Sequence, residues 1–185
     1  GTATYRKCLT LSHEPQGWLL ELPEVFSACR IFINGEKVQE IGNVEPAHFQ
    51  YGVRNTLLSL PDGSVELIIQ TSNFSHYYSG MTYPPLLGRS DDILGNLAVR
   101  FIFYALLCFF PLGGAAASIA VWAHRQQEPL YLTYSLLCLF FSIHTLYPFI
   151  HWSGIGLGEF AYVAEDSSYF AMLSCMVLLT YSVSH

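Results

Sequence analysis

The 185 residues carry 8 Lys and Arg against 14 Asp and Glu, for a formal net charge of −6, and no segment gathers the cations into a cluster. With nothing to neutralise phosphates, the composition excludes a nucleic-acid-binding protein. Hydrophobic residues make up 52% of the chain but are spread unevenly: seven of the eight cations, Arg6 to Arg100, and ten of the fourteen acids precede the first long apolar run. Such a change predicts a soluble domain over residues 1–95 joined to a membrane region over 96–185.

Taken in chain order, Thr4 to Leu11 and Trp18 to Leu22 read as strands, punctuated by Pro15, Gln16 and Gly17. Residues 26–41 read as a β-hairpin whose turn is Asn34-Gly35, because the tight two-residue turn needs positive φ at both central positions. A second strand pair is predicted from Asn55 to Leu60 and Val65 to Thr71, joined by Pro61, Asp62 and Gly63. Nothing in the first 95 residues has a convincing helical period. Cys8 and Cys29 fall in this domain, Cys108, Cys138 and Cys175 in the apolar part, and no CxxC spacing points to a metal. A Cys8–Cys29 bridge and two separate thiols both stay open.

The hairpin run Phe26 to Val38 and the strand Val65 to Asn73 resemble jelly-roll, galactose-binding-like domains, in which one strand carries an NGxxV hairpin and a later strand ends in Asn. Ser72-Asn73, Gly80 and Gly88 then follow in order, with an apolar span starting within about fifteen residues. That order resembles the bacterial seven-transmembrane receptors with diverse intracellular signalling modules. The resemblance implies a jelly-roll β-sandwich outside the plasma membrane, followed by the first three helices of a larger bundle. It also implies an output module elsewhere, such as a histidine kinase or diguanylate cyclase, and a homodimer formed through that module.

Three apolar stretches are long enough to cross a membrane, at about 101–123, 130–150 and 167–184, since roughly 20 helical residues span the hydrocarbon. The third ends at His185 without a basic flank, and the chain starts at Gly1, so further protein is expected at both ends. Trp122, Tyr131, Tyr147, Trp152 and Tyr169 sit where interfacial anchors belong. His124 and Arg125 in the first connector lean toward a cytoplasmic loop, which leaves the N-terminal domain extracytoplasmic. Gly113 with Ala117, and Gly114 with Ser118, predict a close helix-packing seam beside Pro111, while Pro148 is expected to shape a helix exit. His144 is the ionisable group expected inside a span, where it would pair with a hydroxyl; Glu159, Glu165 and Asp166 are assigned to the outer connector.

No GxSxG elbow, HExxH or phosphate cradle is present, so no catalytic residue, metal or cofactor is expected in this segment. The function expected is that of a transmembrane signalling receptor, binding a small molecule, with carbohydrate as one candidate, outside the membrane. The alternative is a polytopic transporter or enzyme whose β-domain is structural. Candidate ligand-binding or signal-transmitting residues are Arg30, Asn73, His76, Tyr77 and Tyr78. The partners expected are that ligand and the lipid bilayer.

Overall fold

The computed structural model describes residues 1–74, 80–125, 128–153 and 159–184. By their contacts these residues form two compact units. One is Gly1–Ala98 with the segment starting at His151; the other is Val99–Ile150 with the helix starting at Glu159.

The first unit is built of strands β1 (Thr2–Leu11), β2 (Trp18–Leu22), β3 (Val25–Phe26), β4 (Ala28–Ile33), β5 (Glu36–Ile41), β6 (Thr56–Leu60), β7 (Gly63–Ser72), β8 (Gly80–Met81) and β9 (Leu86–Arg89). One sheet runs β1-β7-β4-β5, a second runs β6-β2-β9, and β3 pairs with β8. All pairings are antiparallel. On β7 the period-two pattern buries Val65, Leu67, Ile69 and Thr71 on one face. Val65, Leu67 and Ile69 meet Leu11, Ile31 and Ile33 of their own sheet and Leu20, Leu22, Leu58 and Leu60 of the other, in one apolar cluster. The two sheets therefore close on each other around a common core.

The β4–β5 hairpin forms as the sequence predicts, with Asn34 at φ 52° and Gly35 at φ 82°. Asn34 also fixes the end of β7: its amide donates to the Glu66 carbonyl at 2.9 Å, and its side-chain oxygen accepts the Glu66 amide at 2.8 Å. The second expected strand pair is corrected. β6 pairs with β2, whereas β7 pairs with β1 and β4, so Pro61 and Asp62 carry the chain from one sheet to the other. The turn residues report a reversal, and alternation reports a buried face, but neither distinguishes hydrogen-bonded neighbours from strands stacked across a core.

Cys8 and Cys29 are both free thiols. Cys8 lies opposite Glu66 and Cys29 opposite Thr71, on the two strands that flank β7. Two strand spacings, about 9.6 Å, already exceed the Cα separation a disulfide tolerates. At the far end of the sandwich Gly42 takes φ +66°, and a Cβ there would stand 2.2 Å from the Gln50 carbonyl oxygen. Only glycine admits this approach, which lets the loop after β5 fold back against the sheet.

Four helices follow: α1 (Ser90–His124), α2 (Pro129–Thr145), α3 (Tyr147–Ser153) and α4 (Glu159–Ser184). Three stretches, Ser90–His124, Pro129–Ser153 and Tyr162–Ser184, are long and apolar enough to cross a membrane. α1 runs through Pro111 without ending. At Pro148 the chain does change: Leu146 caps α2, and Leu146 and Phe149 make three-residue hydrogen bonds to Ile143 and Leu146. A proline at 148 has no N–H for the His144 carbonyl, which is why α2 and α3 are separate helices.

In the second unit most of the buried positions are small or polar, among them Cys108 and Ala115 on α1, Ser135, Cys138 and Ser142 on α2, and Ser168 and Cys175 on α4, with Met172 a larger apolar exception. The Ser135 hydroxyl donates to the Ala115 carbonyl at 3.1 Å, and Gly114 faces the Cys138 sulfur. The seam expected along α1 is thus half right. The Gly114–Ser118 face is partly covered, whereas Gly113 and Ala117 are exposed. α4 begins at Glu159, earlier than the apolar pattern suggested, so Glu165 and Asp166 are helical, not part of a connector.

Both strand cysteines can be tested chemically. Cys29 is fully buried and its thiol is pushed up to about 12 by that burial, while Cys8 is exposed. A maleimide at neutral pH is expected to label Cys8 in the folded chain and to reach Cys29 only after unfolding, as peptide mass mapping would show. Labelling of neither cysteine in the folded chain, restored by a reductant, would mean a bridge.

Candidate functional site

A groove of about 310 Å3 opens in the first unit between the edges of the two sheets. Leu9 of β1 with Leu67 and Ile69 of β7 form one wall; Leu20 of β2 and Leu87 of β9 form the other, with Met81 and Pro85 beside them. Alternation along β1 puts Tyr5, Lys7 and Leu9 on one face, the face on which Leu9 meets the core. Tyr5 and Lys7 therefore continue the core layer outward to where the sandwich is open. The Tyr5 hydroxyl lies beside Gly80, 3.8 Å from where a Cβ would stand. Arg6 points to the opposite face and is paired with Glu66. The groove volume falls at the small end of ligand cavities, roughly 300–1,000 Å3.

The strand that walls this groove leads directly into a helix, since β9 ends at Arg89 and α1 begins at Ser90. The loop between β1 and β2 holds that junction. Ser90 donates both its amide and its hydroxyl to the Gly17 carbonyl at 3.0 Å, and the Arg89 guanidinium reaches Gln16 at 2.5 Å and Glu14 at 3.5 Å. Asp91 and Asp92 in the first turn suit the positive end of the helix dipole. Ile93 is buried against Gly88, so the first turns of α1 pack on the sheet they leave.

A second cluster lies in the interior of the same unit. Nδ1 of His151, on α3, is 2.8 Å from Oε1 of Glu24, with both side chains under a tenth exposed. Asn55 completes it: its side-chain oxygen accepts the Glu24 amide at 2.7 Å, and its own amide donates to the His151 carbonyl at 3.2 Å. Three segments separated by up to 127 residues are thereby clasped by polar contacts removed from water. Buried polar groups of this kind stabilise only while all partners are present.

Of the residues singled out from the sequence, the described ones each sit in their own surroundings. Arg30 on β4 is held by Glu40, at 2.7 Å, and by Glu45, at 3.5 Å. The hydrogen bond from Arg30, joined by one from Lys37, holds the Glu40 carboxyl below the usual carboxylate range. This guanidinium is engaged in a cross-strand network and does not line the groove. Asn73 follows β7, where its amide donates to the Gly1 carbonyl at 2.8 Å and extends the β1–β7 ladder. His76, Tyr77 and Tyr78 lie outside the described residues. Among the described residues His144 hydrogen-bonds to no hydroxyl. Its Nδ1 approaches the Glu165 carbonyl at 3.4 Å, and its ring lies 5.9 Å from that of Tyr169. Tyr169 of α4 is thus a ring neighbour of His144.

Sequence reasoning passed over Tyr5 and Lys7, although their alternation with Leu9 was visible in the β1 pattern. The clasp had no local signal, because Glu24 reads as a turn residue and His151 as part of a connector. Comparison with protein-family models and with curated proteins finds no match for this chain.

Two substitutions probe these clusters. Glu24→Ala removes one side of the buried contact with His151 and is expected to cost roughly 2–4 kcal/mol, read as a lower unfolding midpoint of the detergent-solubilised chain. Adding His151→Ala should cost less than the sum of the two single changes, and strict additivity would show that the pair is not coupled. The Glu40 network predicts a pH dependence. A carboxyl lowered in the folded state adds stability above its ordinary value of 4.5, and that stability is lost as pH falls through the lowered value. The midpoint difference between parent and Glu40→Gln should accordingly be constant near neutrality and shrink in acid below that value. A difference unchanged into strong acid would remove the ion network from the account.

Proposed function

We propose that this chain is the sensor and first membrane segment of a bacterial seven-transmembrane signalling receptor. Its β-unit is read as a jelly-roll-like domain outside the plasma membrane that binds a small molecule, and its helices as the start of the bundle that passes the signal to an output module such as a histidine kinase or diguanylate cyclase. The observation that carries this reading is the junction at Arg89 and Ser90. β9 lines the groove through Leu87 and continues without a linker into α1, one uninterrupted helix to His124. A ligand that favours one position of β9 over another therefore acts on the start of a candidate membrane span, and such coupling follows from differential affinity for two states.

A transporter or membrane enzyme with a structural β-domain is the second reading, and Glu165 and Asp166 on α4 speak for it. These acids lie in the N-terminal part of α4, near the start of the third stretch long and apolar enough to cross a membrane. Acids near the end of a span are hydrated from the headgroup region at small cost, so this placement alone does not argue for a pathway. The signalling reading is the better supported.

The test uses the chain in lipid nanodiscs. A compound screen read by thermal shift should find ligands that raise the unfolding midpoint by mass action. Hydrogen exchange with such a ligand should then slow in β1 and β9 and change in the first turns of α1. Leu87→Trp, on an exposed edge strand, fills the groove mouth without entering the core and should abolish both effects while leaving the unliganded midpoint nearly unchanged. If every stabilising compound protects only segments remote from β1 and β9, the groove is no sensor site.

A further inference from the structure

We propose that the groove selects a small amphipathic anion, an apolar body carrying one carboxylate, with Lys7 as its counter-ion; this rests on the sensor reading above. The walls decide the body. Leu9, Leu20, Leu67, Ile69 and Leu87 present aliphatic surface and no hydroxyl, amide or carboxyl group. A neutral sugar would have to give up hydration of its hydroxyls against these walls without replacement hydrogen bonds, and among the described residues Tyr5 is the one aromatic ring in the lining. An alkyl or aryl group loses no such bonds and removes apolar area from water.

The mouth decides the charge. Among the described residues no acidic side chain lines the groove, and its two cations, Arg6 and Lys7, stand in different situations. Arg6 is taken by Glu66, as Arg30 and Lys37 are taken by Glu40 and Arg89 by Glu14. Lys7 makes no ion pair among the described residues. It shares the β1 face of Leu9, so its ammonium can reach solvent at the opening while its methylene stem continues the apolar wall. A carboxylate held there stays partly hydrated, which avoids the desolvation cost of a buried charge while setting the sign of the ligand.

The probe is octanoate, with octylammonium and octanol as matched comparisons, measured by equilibrium dialysis against the chain in phosphatidylcholine nanodiscs with empty discs as the blank. Expected is saturable octanoate binding above the blank, weakened about fivefold by Lys7→Gln and further by Lys7→Glu, and lost with Leu87→Trp. Octanol should respond to Leu87→Trp but not to Lys7→Gln, and octylammonium should bind no better than the blank. Octanoate binding equal to the blank, or saturable binding indifferent to both Lys7→Glu and Leu87→Trp, would overturn the proposal. Failure of the ligand class is distinguishable from failure of the sensor reading. If octanoate does not bind but another compound protects β1 and β9, the class is wrong and the sensor reading stands; if no compound does so, both fall.

Discussion

The first unit depends on β7. Ten residues long and paired on both sides, it is the strand from which β1 and β4 take their register, and its Val65, Leu67 and Ile69 form the floor onto which the second sheet closes. A one-residue slip in either pairing would send those side chains to the solvent face and bring Glu66, Ile68 and Gln70 inward. Asn34 guards one end of that register through its two hydrogen bonds with Glu66. At the other end the buried Ser27 hydroxyl donates to the Ser72 carbonyl at 2.5 Å, and the Ser72 hydroxyl to the Val44 carbonyl at 2.9 Å. Ser27 holds φ 82°, an uncommon conformation for a residue with a Cβ, and that hydrogen bond offsets part of its cost.

What the sequence made legible was local. Alternation located β1, β2 and the strands of the hairpin, and Asn34-Gly35 determined a turn whose geometry leaves few other residues eligible. Charge-free length located three apolar helices. What it could not reveal was long-range: whether β6 and β7 pair or stack, and which segments Glu24, Asn55 and His151 join. Such contacts depend on where the chain returns after many residues, and no periodicity encodes that. Asn73 drew attention by its place at a strand end and His144 by its place inside an apolar span, both positions read along the chain and not from what surrounds them in space. In the folded chain the Arg30 guanidinium is paired with the carboxylate directly across on the edge strand, Glu40; the groove is instead flanked by Tyr5 and Lys7, side chains unremarkable until β1 and β9 are seen to leave the sandwich open between them.

The second unit follows a different rule of association. Lipid tails are as apolar as leucine, so burying leucine between helices offers little advantage over leaving it in lipid. The large side chains Phe103, Phe109, Phe110 and Leu106 are accordingly exposed, and the helix contacts are made by Cys108, Gly114, Ala115, Ser135, Cys138 and Ser142. Small residues let backbones approach, and each hydroxyl finds a carbonyl: Ser135 across to Ala115, Ser142 back to Cys138 at 3.0 Å. A seam of this kind is weakly directional, which is why a four-residue repeat of small residues narrowed the packing face of α1 to two candidates without choosing between them.

These two kinds of packing bear on where a signal could enter. Strands β7 and β4 are locked by shared core and double pairing, and displacing either would expose the cluster they build. β9 is the opposite case: four residues, one neighbour, mostly exposed side chains, and a junction held by polar contacts from Glu14, Gln16 and Gly17. Elements with few buried apolar contacts are those a protein can move at small cost. On the proposed reading, a ligand against Leu87 needs to supply only the difference between two placements of this short edge strand, and the cost of opening the core never arises. The same economy sets a limit. Because the ligand's leverage equals its differential contact with β9, a compound that touched only the rigid wall of Leu67 and Ile69 would bind without shifting anything, and affinity alone would be no guide to which compounds signal.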